Sequence, residues 1–424
     1  MHSVLFGALL LILAAAGAPI FALIGGLGLA LFHAEGIDAS AVIIEMARLS
    51  EMPSLITIPL FTFAGYLLAE SQAPSRLLEL GEALFGWLPG GFAVAALCSC
   101  ALFTAFTGAS GVTIIALGGL IFPLLCRQKY PASFSLGLVT ATGSLGLLFP
   151  PSLPIILYAL VAGLSLNRLF AAAALPGIVL MLALILYATT TASRHHVRRA
   201  PFSAKTALKA LRAAAWEIPL PFFIIGGIYS GSFTASEASA VMAFYVLFVE
   251  VLIYRDLKIR DIPNVIARSQ ILVGAILIVL GTALGLTNYF IDAQIPERLF
   301  SLLSAHMRNP WEFLACLNIF LLIVNMVEIF SAIIIMVPII VPVALRYHID
   351  PFHLGALFLL NLEIGYLTPP MGLNLFLSSR RFDKPLTTLY KASWPFWLIM
   401  IAILALVTYL PTLSLWLPKV LHIQ

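Results

Sequence analysis

The sequence predicts an all-α polytopic membrane protein built as two inverted repeats, each with a re-entrant hairpin and a broken helix. Three observations predict it. The first is composition: of 424 residues, 61% are hydrophobic and 10% charged, against about 25% charged in soluble domains. The apolar runs are about 20 residues long, twice the length of a transmembrane β-strand, which excludes a barrel. The second is a pair of double prolines, Pro150-Pro151 and Pro369-Pro370, each inside such a run. The third is spacing: Pro123 to Pro150 is 27 residues, and so is Pro342 to Pro369.

Gly143–Ser152, GSLGLLFPPS, sits in the run Phe134–Leu164. Two consecutive prolines remove two backbone donors and bar the preceding residue from helix geometry. Carbonyl oxygens are freed where hydrocarbon would surround them, at several kcal/mol per bare group. Such a break is stable only inside protein or beside a polar cavity. It is either a plain kink or a site whose free carbonyls hold an ion or a substrate. Its return at Gly365–Phe376, GYLTPPMGLNLF, favours the second: paired broken spans in the two halves of a chain point to a transporter site.

The elements follow in order. Leu5–Leu31 is one retained span, since no basic segment and no clear cleavage site mark it as a signal peptide. A connection from His33 to Pro53 carries four acids against Arg48. A helix at 55–68 precedes an amphipathic segment, 72–87, that lies at the interface: Leu77, Leu78, Leu80, Leu84 and Phe85 stand against Glu79 and Glu82. Phe92–Leu125 is too long for one span and is interrupted by small and hydroxylated residues, so it is hairpin one with its tip at 107–111. The broken helix 133–163 and a helix at 169–191 complete the first repeat, residues 1–192. Residues 193–235 are a basic loop and a linking helix at 218–229. Thr234-x-x-Glu237 is a capping box opening the next helix. The second repeat, 236–424, holds a charged loop at 255–268, a helix at 271–290, and an interfacial stretch to Asn309. Hairpin two follows at about 313–345, then the broken helix 352–377 and a last helix at 395–415. The linking helix adds one span between repeats, which inverts the second.

Charge agrees with this topology. With the N-terminus cytoplasmic and nine crossing spans, seventeen of the 23 Lys and Arg fall on inner segments and six on outer ones. That is the positive-inside bias, and it leaves the C-terminus periplasmic. Net charge +4 needs no nucleic acid. The four cysteines lie in or beside apolar runs, with no metal-ligand spacing. The histidines are unpaired with a second acid or thiol, and no P-loop occurs. No catalytic constellation is present, so an enzyme is not expected.

The hairpin tips and breaks carry the candidate chemistry. A hard cation such as sodium takes oxygen ligands. Thr107, Ser110 and Thr113 offer hydroxyls near tip one, and Gly143, Gly146 and the residues before Pro150 offer carbonyls. In the second half Ser331 offers a hydroxyl, and Gly365, Thr368 and Asn374 flank the break. A lone hydroxyl in a membrane helix usually bonds back to the preceding turn; clustering at a turn beside a double proline weakens that alternative. Thr104, one turn from the tip, reads as outside the site. Glu328 and Glu363 are acids at membrane depth, either functional or neutral staples between helices.

The strings FTGASG, GSLGLLFPPSLPIILYALVAGLSLNRLF, IIGGIYSGSFTASEASAVMAFY and IGYLTPPMGLNLF, with the Pro338/Pro342 pair, resemble the large membrane subunit of TRAP (tripartite ATP-independent periplasmic, DctM-like) transporters. The resemblance covers the whole chain in order. It implies an elevator-type secondary transporter in the bacterial inner membrane, taking up a small organic acid with two or more sodium ions and no organic cofactor. The implied partners are a small four-helix membrane subunit, not expected to be fused here, and a periplasmic substrate-binding protein. It places sodium ligands at Thr107, Gly108, Ser110, Gly146 and Pro150, and again at Ser331, Gly365 and Thr368. Thr113, Pro151, Ser152, Glu328, Glu363, Pro370 and Asn374 become the substrate-side candidates. There are departures: the family's SGSS reads Thr107-Gly108-Ala109-Ser110, its later Asp is Thr113, its hairpin-two Asp is Glu328, and Glu363 replaces a small or polar residue. A proton-coupled carrier using Glu328 and Glu363 is the alternative. A channel would need a continuous polar path, where the sequence shows two isolated polar tips.

Overall fold

A computed structural model describes residues 12–13, 16–38, 40–197, 199, 201–324, 329–370 and 372–421. Among them there are helices and no strand. The first repeat contains α1 (Ile20–Ala34), α2 (Ser40–Leu49), α3 (Thr57–Glu70), α4 (Ala73–Phe85), α5 (Gly91–Thr107) and α6 (Ser110–Arg127). It continues with α7 (Ala132–Thr142), α8 (Leu153–Ala162) and α9 (Leu166–Arg194). Then come α10 (Ala204–Ala213), α11 (Pro219–Tyr229), α12 (Ala235–Ile253) and α13 (Ile262–Asp292). An interfacial helix α14 (Ile295–Ser304) precedes the second hairpin and break, α15 (Pro310–Val324), α16 (Ile329–Arg346), α17 (Pro351–Gly365) and α18 (Leu373–Phe382), followed by α19 (Leu386–Tyr409) and α20 (Thr412–Val420). Among the described residues seven helices are long and apolar enough to cross a membrane, and the broken pair Ala132–Leu148 and Leu153–Ala162, bent by 42°, makes an eighth. The chain is an all-α, multi-pass membrane protein.

The repeat is visible in both register and packing. A shift of 219 residues carries Pro123 onto Pro342 and Pro150 onto Pro369. The same shift lays α6 on α16 end to end, α3 on α13, α5 on α15 and α7 on α17. The halves interlock reciprocally. Helix α1 packs on α13 while its counterpart α12 packs on α3; α9 packs on α17 while its counterpart α19 packs on α7. Neither half buries its apolar faces alone, so one continuous core forms across both.

Hairpin one turns back on itself. Its tip is Gly108-Ala109, and Gln128 just beyond α6 donates to Glu82 Oε1 on α4 at 3.2 Å. Helix α4 packs along α5, so the far end of α6 returns to the side on which α5 begins. Length and apolarity alone would make α6 a span.

Several boundaries differ from the sequence reading. The first span is not continuous from Leu5 to Leu31. A turn bonds Ala18 N to Leu13 O, and Pro19, which has no N–H to give, precedes α1. Residues 1–11 lie outside the described residues. The connection 33–53 contains α2, and the basic loop 193–214 contains α10, capped by Ser203, whose hydroxyl accepts from Thr206 N. Helix α13 starts at Ile262, so Arg268 is helical and pairs with Glu70 at 2.6 Å. The interfacial stretch before Asn309 is helical as α14. Pro395 lies inside α19 rather than at its start, and α19 ends at Tyr409, with a separate helix, α20, beyond it. The capping box at Thr234 and Glu237 is formed.

An unforeseen ion cluster ties α4 to the segment between the repeats and to the C-terminal end of α12. Arg76 donates to Glu217 through Nε, to Asp256 Oδ2 at 2.6 Å and to Glu250 Oε2 at 3.0 Å. Its guanidinium lies 3.9 Å from the centre of the Tyr254 ring.

Candidate functional site

The geometry of tip one follows from its glycines. Helix α5 ends at Thr107 because Gly108 turns to φ 64° and donates its N–H to Thr104 O at 2.8 Å. A Cβ at Gly108 would lie 2.6 Å from Leu153 Cβ, so the tip touches the first residue of α8, just past the double proline. A 3-10 turn, Leu145–Leu148, runs up to that proline pair. At Gly146 a Cβ would lie 2.2 Å from Ala101 O, so this turn packs backbone against α5. The first break and the first tip are one contact.

The hydroxyls there fall into two groups. Thr104 Oγ1 donates back to Cys100 O at 2.8 Å, but it also lies 3.0 Å from Gly143 O and 2.7 Å from Thr113 Oγ1. Thr104 therefore belongs to the site rather than outside it, and Thr113 faces Thr104. Thr107 Oγ1, Ser110 Oγ and Ser152 Oγ are buried and have no partner among the described residues. Hydroxyls elsewhere do bond back along their helices, as Thr62 does to Ile58 O and Thr408 to Leu404 O. A buried polar atom without a partner costs about 1–3 kcal/mol, so a cluster of them calls for an ion or water.

Asn374 joins this group from the other repeat. Its Nδ2 donates to Thr140 O at 3.1 Å and to Ser144 Oγ at 3.2 Å, while its Oδ1 is buried and unpartnered. Beside it Thr140 Oγ1 donates to Ser378 Oγ at 3.0 Å. The sequence set Asn374 beside the second break, and the structure inserts it into the first.

The second break is built differently. Pro369-Pro370 is cis, as is Pro150-Pro151. Thr368 Oγ1 donates to Ile364 O at 2.9 Å and accepts from Trp397 Nε1 at 3.0 Å. Tyr390 OH donates to Pro370 O at 2.9 Å. Helix α19 thus holds this break with two aromatic donors. Shifted back by 219, those positions are Ala171 and Ile178, which can donate nothing to the first break. Gly365 is buried at the end of α17, and Ser331 is buried in α16 with its interactions made. Glu328, with the rest of tip two at 325–328, lies outside the described residues. Glu363 is fully buried, and neither carboxyl oxygen has a partner among the described residues. Near it Asn361 Nδ2 donates to Asn318 Oδ1 at 2.8 Å, and Asn318 Nδ2 to Thr408 Oγ1 at 2.8 Å.

The structure therefore brings Thr107, Gly108, Ser110, Thr113, Gly146, Pro150, Pro151, Ser152 and Asn374 to one junction of tip and break. Around Gly365, Thr368 and Pro370 it shows a break already satisfied by protein donors. Among the described residues no group of His, Cys, Asp and Glu is arranged to hold a metal ion. Thr104, Ser144, Tyr390 and Trp397 are the site's neighbours that sequence reading missed.

The fold is similar to the crystal structure of the Alcanivorax borkumensis YdaH transporter, with a TM-score of 0.62, 12% identity and 89% of each chain covered. The sequence is 36% identical over 400 residues to the C4-dicarboxylate TRAP transporter large permease protein DctM of Pseudomonas aeruginosa, covering 93% of this chain and 92% of that one. It is also 36% identical to the protein of the same name from Rhodobacter capsulatus, covering 99% of both. The family described as "Tripartite ATP-independent periplasmic transporter, DctM component" matches residues 6–413. The chain belongs to this DctM family and is a transport permease, not an enzyme.

Proposed function

We propose that the chain is the large permease subunit of a sodium-coupled transporter that takes up a small organic acid across the bacterial inner membrane. One observation carries the coupling: Thr107 Oγ1, Ser110 Oγ, Ser152 Oγ and Asn374 Oδ1 are buried without partners among the described residues where tip one meets the first break. These are oxygen acceptors, and the carbonyls ahead of Pro150 add to them; a small hard cation suits that set. A second sodium position at Ser331, Gly365 and Thr368 comes from the resemblance alone, since Thr368 Oγ1 is already held by Ile364 O and Trp397 Nε1 and Ser331 has its interactions made. Relatives named for C4-dicarboxylate, ectoine and sialic acid favour an organic acid as cargo. A relative named as a DctMQ permease for isethionate, of which this chain covers 66%, favours a small membrane subunit as partner. A periplasmic binding protein would deliver the substrate. The hairpins and interlocked repeats favour an elevator motion, with no nucleic acid involved. A second reading, proton coupling through Glu363 and Glu328, is favoured by the buried carboxyl of Glu363, which has no partner among the described residues.

The test needs no substrate. Purified full-length protein in detergent is expected to gain thermal stability with sodium, saturably, and not with potassium or choline at equal ionic strength. At a hundredfold excess over Kd the gain is about 2.7 kcal/mol. Equal stability in the three cations would sink the sodium reading and leave the proton carrier.

The same reading puts the N-terminus in the cytoplasm and the C-terminus in the periplasm. Cysteines introduced in 204–212 are expected to react only from the cytoplasmic side, and cysteines at 347–350 only from the periplasm. Reaction of both from one side contradicts the inverted repeat.

A further inference from the structure

We propose that Arg381 is a positioning residue that clamps hairpin one to the second broken helix and holds a π turn just beyond the ion-binding tip. Helix α18 runs along α6. A Cβ at Gly111 would lie 2.9 Å from Leu377 Cδ1, and the Phe382 and Phe122 rings are 5.0 Å apart. Between these contacts α6 widens into a π turn at Ile114–Gly118. Arg381 Nε donates to Ile115 O in that turn at 3.2 Å. A Cβ at Gly119 would lie 2.0 Å from Arg381 Nη2, so the guanidinium rests in a notch that only glycine leaves open. Among the described residues Arg381 has no acidic partner. Its guanidinium donates instead to the Ile115 carbonyl.

Single π turns inside α-helices recur at functional sites. One residue of slack rotates the preceding segment by about 100°. That segment carries Ser110 and Thr113. Loss of the clamp lets the turn relax and swings the Ser110 hydroxyl away from the break. The effect on ion binding rests on the sodium reading; the clamp itself does not.

Hydrogen–deuterium exchange of the peptide 104–119 in the full-length protein, in sodium-free buffer, reads the clamp directly. Arg381→Gln and Gly119→Ala are each expected to speed exchange there about threefold or more, with distant helices unchanged. The double variant should match either single one, because both remove one contact. Arg381→Lys, which keeps a donor, should fall between wild type and Arg381→Gln. Sodium half-saturation, from the thermal shift, should rise about 5- to 20-fold in both single variants. Unchanged exchange, or effects that add in the double variant, would overturn the clamp. Faster exchange in a protein whose stability ignores sodium would keep the clamp and refute the ion site instead.

Discussion

Replacement of Arg76 by alanine is expected to destabilise the protein by about 3–5 kcal/mol, the cost of stripping the partner from a buried charge. The Arg76 side chain is 12% exposed, and it bridges Glu217 at 3%, Glu250 at 0% and Asp256 at 14%. Without it three carboxylates share one poorly solvated space. The fork matters as well as the charge: Nε, Nη1 and Nη2 each meet a different acid. Arg76→Lys should therefore lose part of the stability, since an ammonium cannot reach three partners from one position. The sharper comparison is Arg76→Ala with Glu250→Ala, which should be more stable than Arg76→Ala alone, because one repulsive charge leaves with its partner. Thermal midpoints in detergent measure all three. A loss under 1 kcal/mol for Arg76→Ala, or no relief in the double variant, would show that the cluster is solvated. The joint has a mechanical place too, since α4 leads straight into hairpin one and Gln72 N also donates to Asp256 at 2.9 Å.

That cluster was invisible in the sequence for a physical reason. Glu217, Glu250 and Asp256 lie 141, 174 and 180 residues from Arg76, on separate elements, and no periodicity links them. Tip one and the two breaks were legible because their signals are local: a glycine turn between apolar arms, and prolines that forbid helix where they stand. The 27-residue proline spacing carried the repeat, and the structure extends it to whole helices. Thr104 was misjudged because the back-bond it makes to Cys100 is the ordinary fate of a helical hydroxyl. Its second and third contacts come from a tertiary fold that brings Gly143 beside α5. Asn374 does flank the second break, its N–H donating to Tyr366 O across it at 3.2 Å, but its side chain reaches the first break, and only tertiary packing decides that. Helix α10 was hidden by its basic residues, which read as a loop until its capping Ser203 is seen in place.

The ion site makes a prediction whose sign changes with the cation present. Thr107 and Ser110 are 1% and 2% exposed, and neither hydroxyl has a partner among the described residues. In potassium buffer such hydroxyls are a burden. Thr107→Val and Ser110→Ala should therefore raise the thermal midpoint of the protein, recovering part of the about 1–3 kcal/mol that an unpaired buried group costs. In sodium buffer the same hydroxyls are ligands, and each loss should raise the sodium half-saturation about 5- to 150-fold. If the two ligands act independently, the double variant should lose roughly 25-fold or more. Thr104→Ala should weaken sodium binding less, about 2- to 10-fold, because its hydroxyl only orients Gly143 O and Thr113. Thr282→Ala is the control: that hydroxyl bonds back to Ile278 O and Val279 O within α13 at 3.0 Å, and its loss should leave the sodium response unchanged. Coupling adds a second readout, since linkage is reciprocal: substrate affinity should fall at low sodium in the tip variants and recover at high sodium. A tip variant that is destabilised equally in potassium and in sodium would mark Thr107 and Ser110 as packing residues, and would move the ion away from hairpin one.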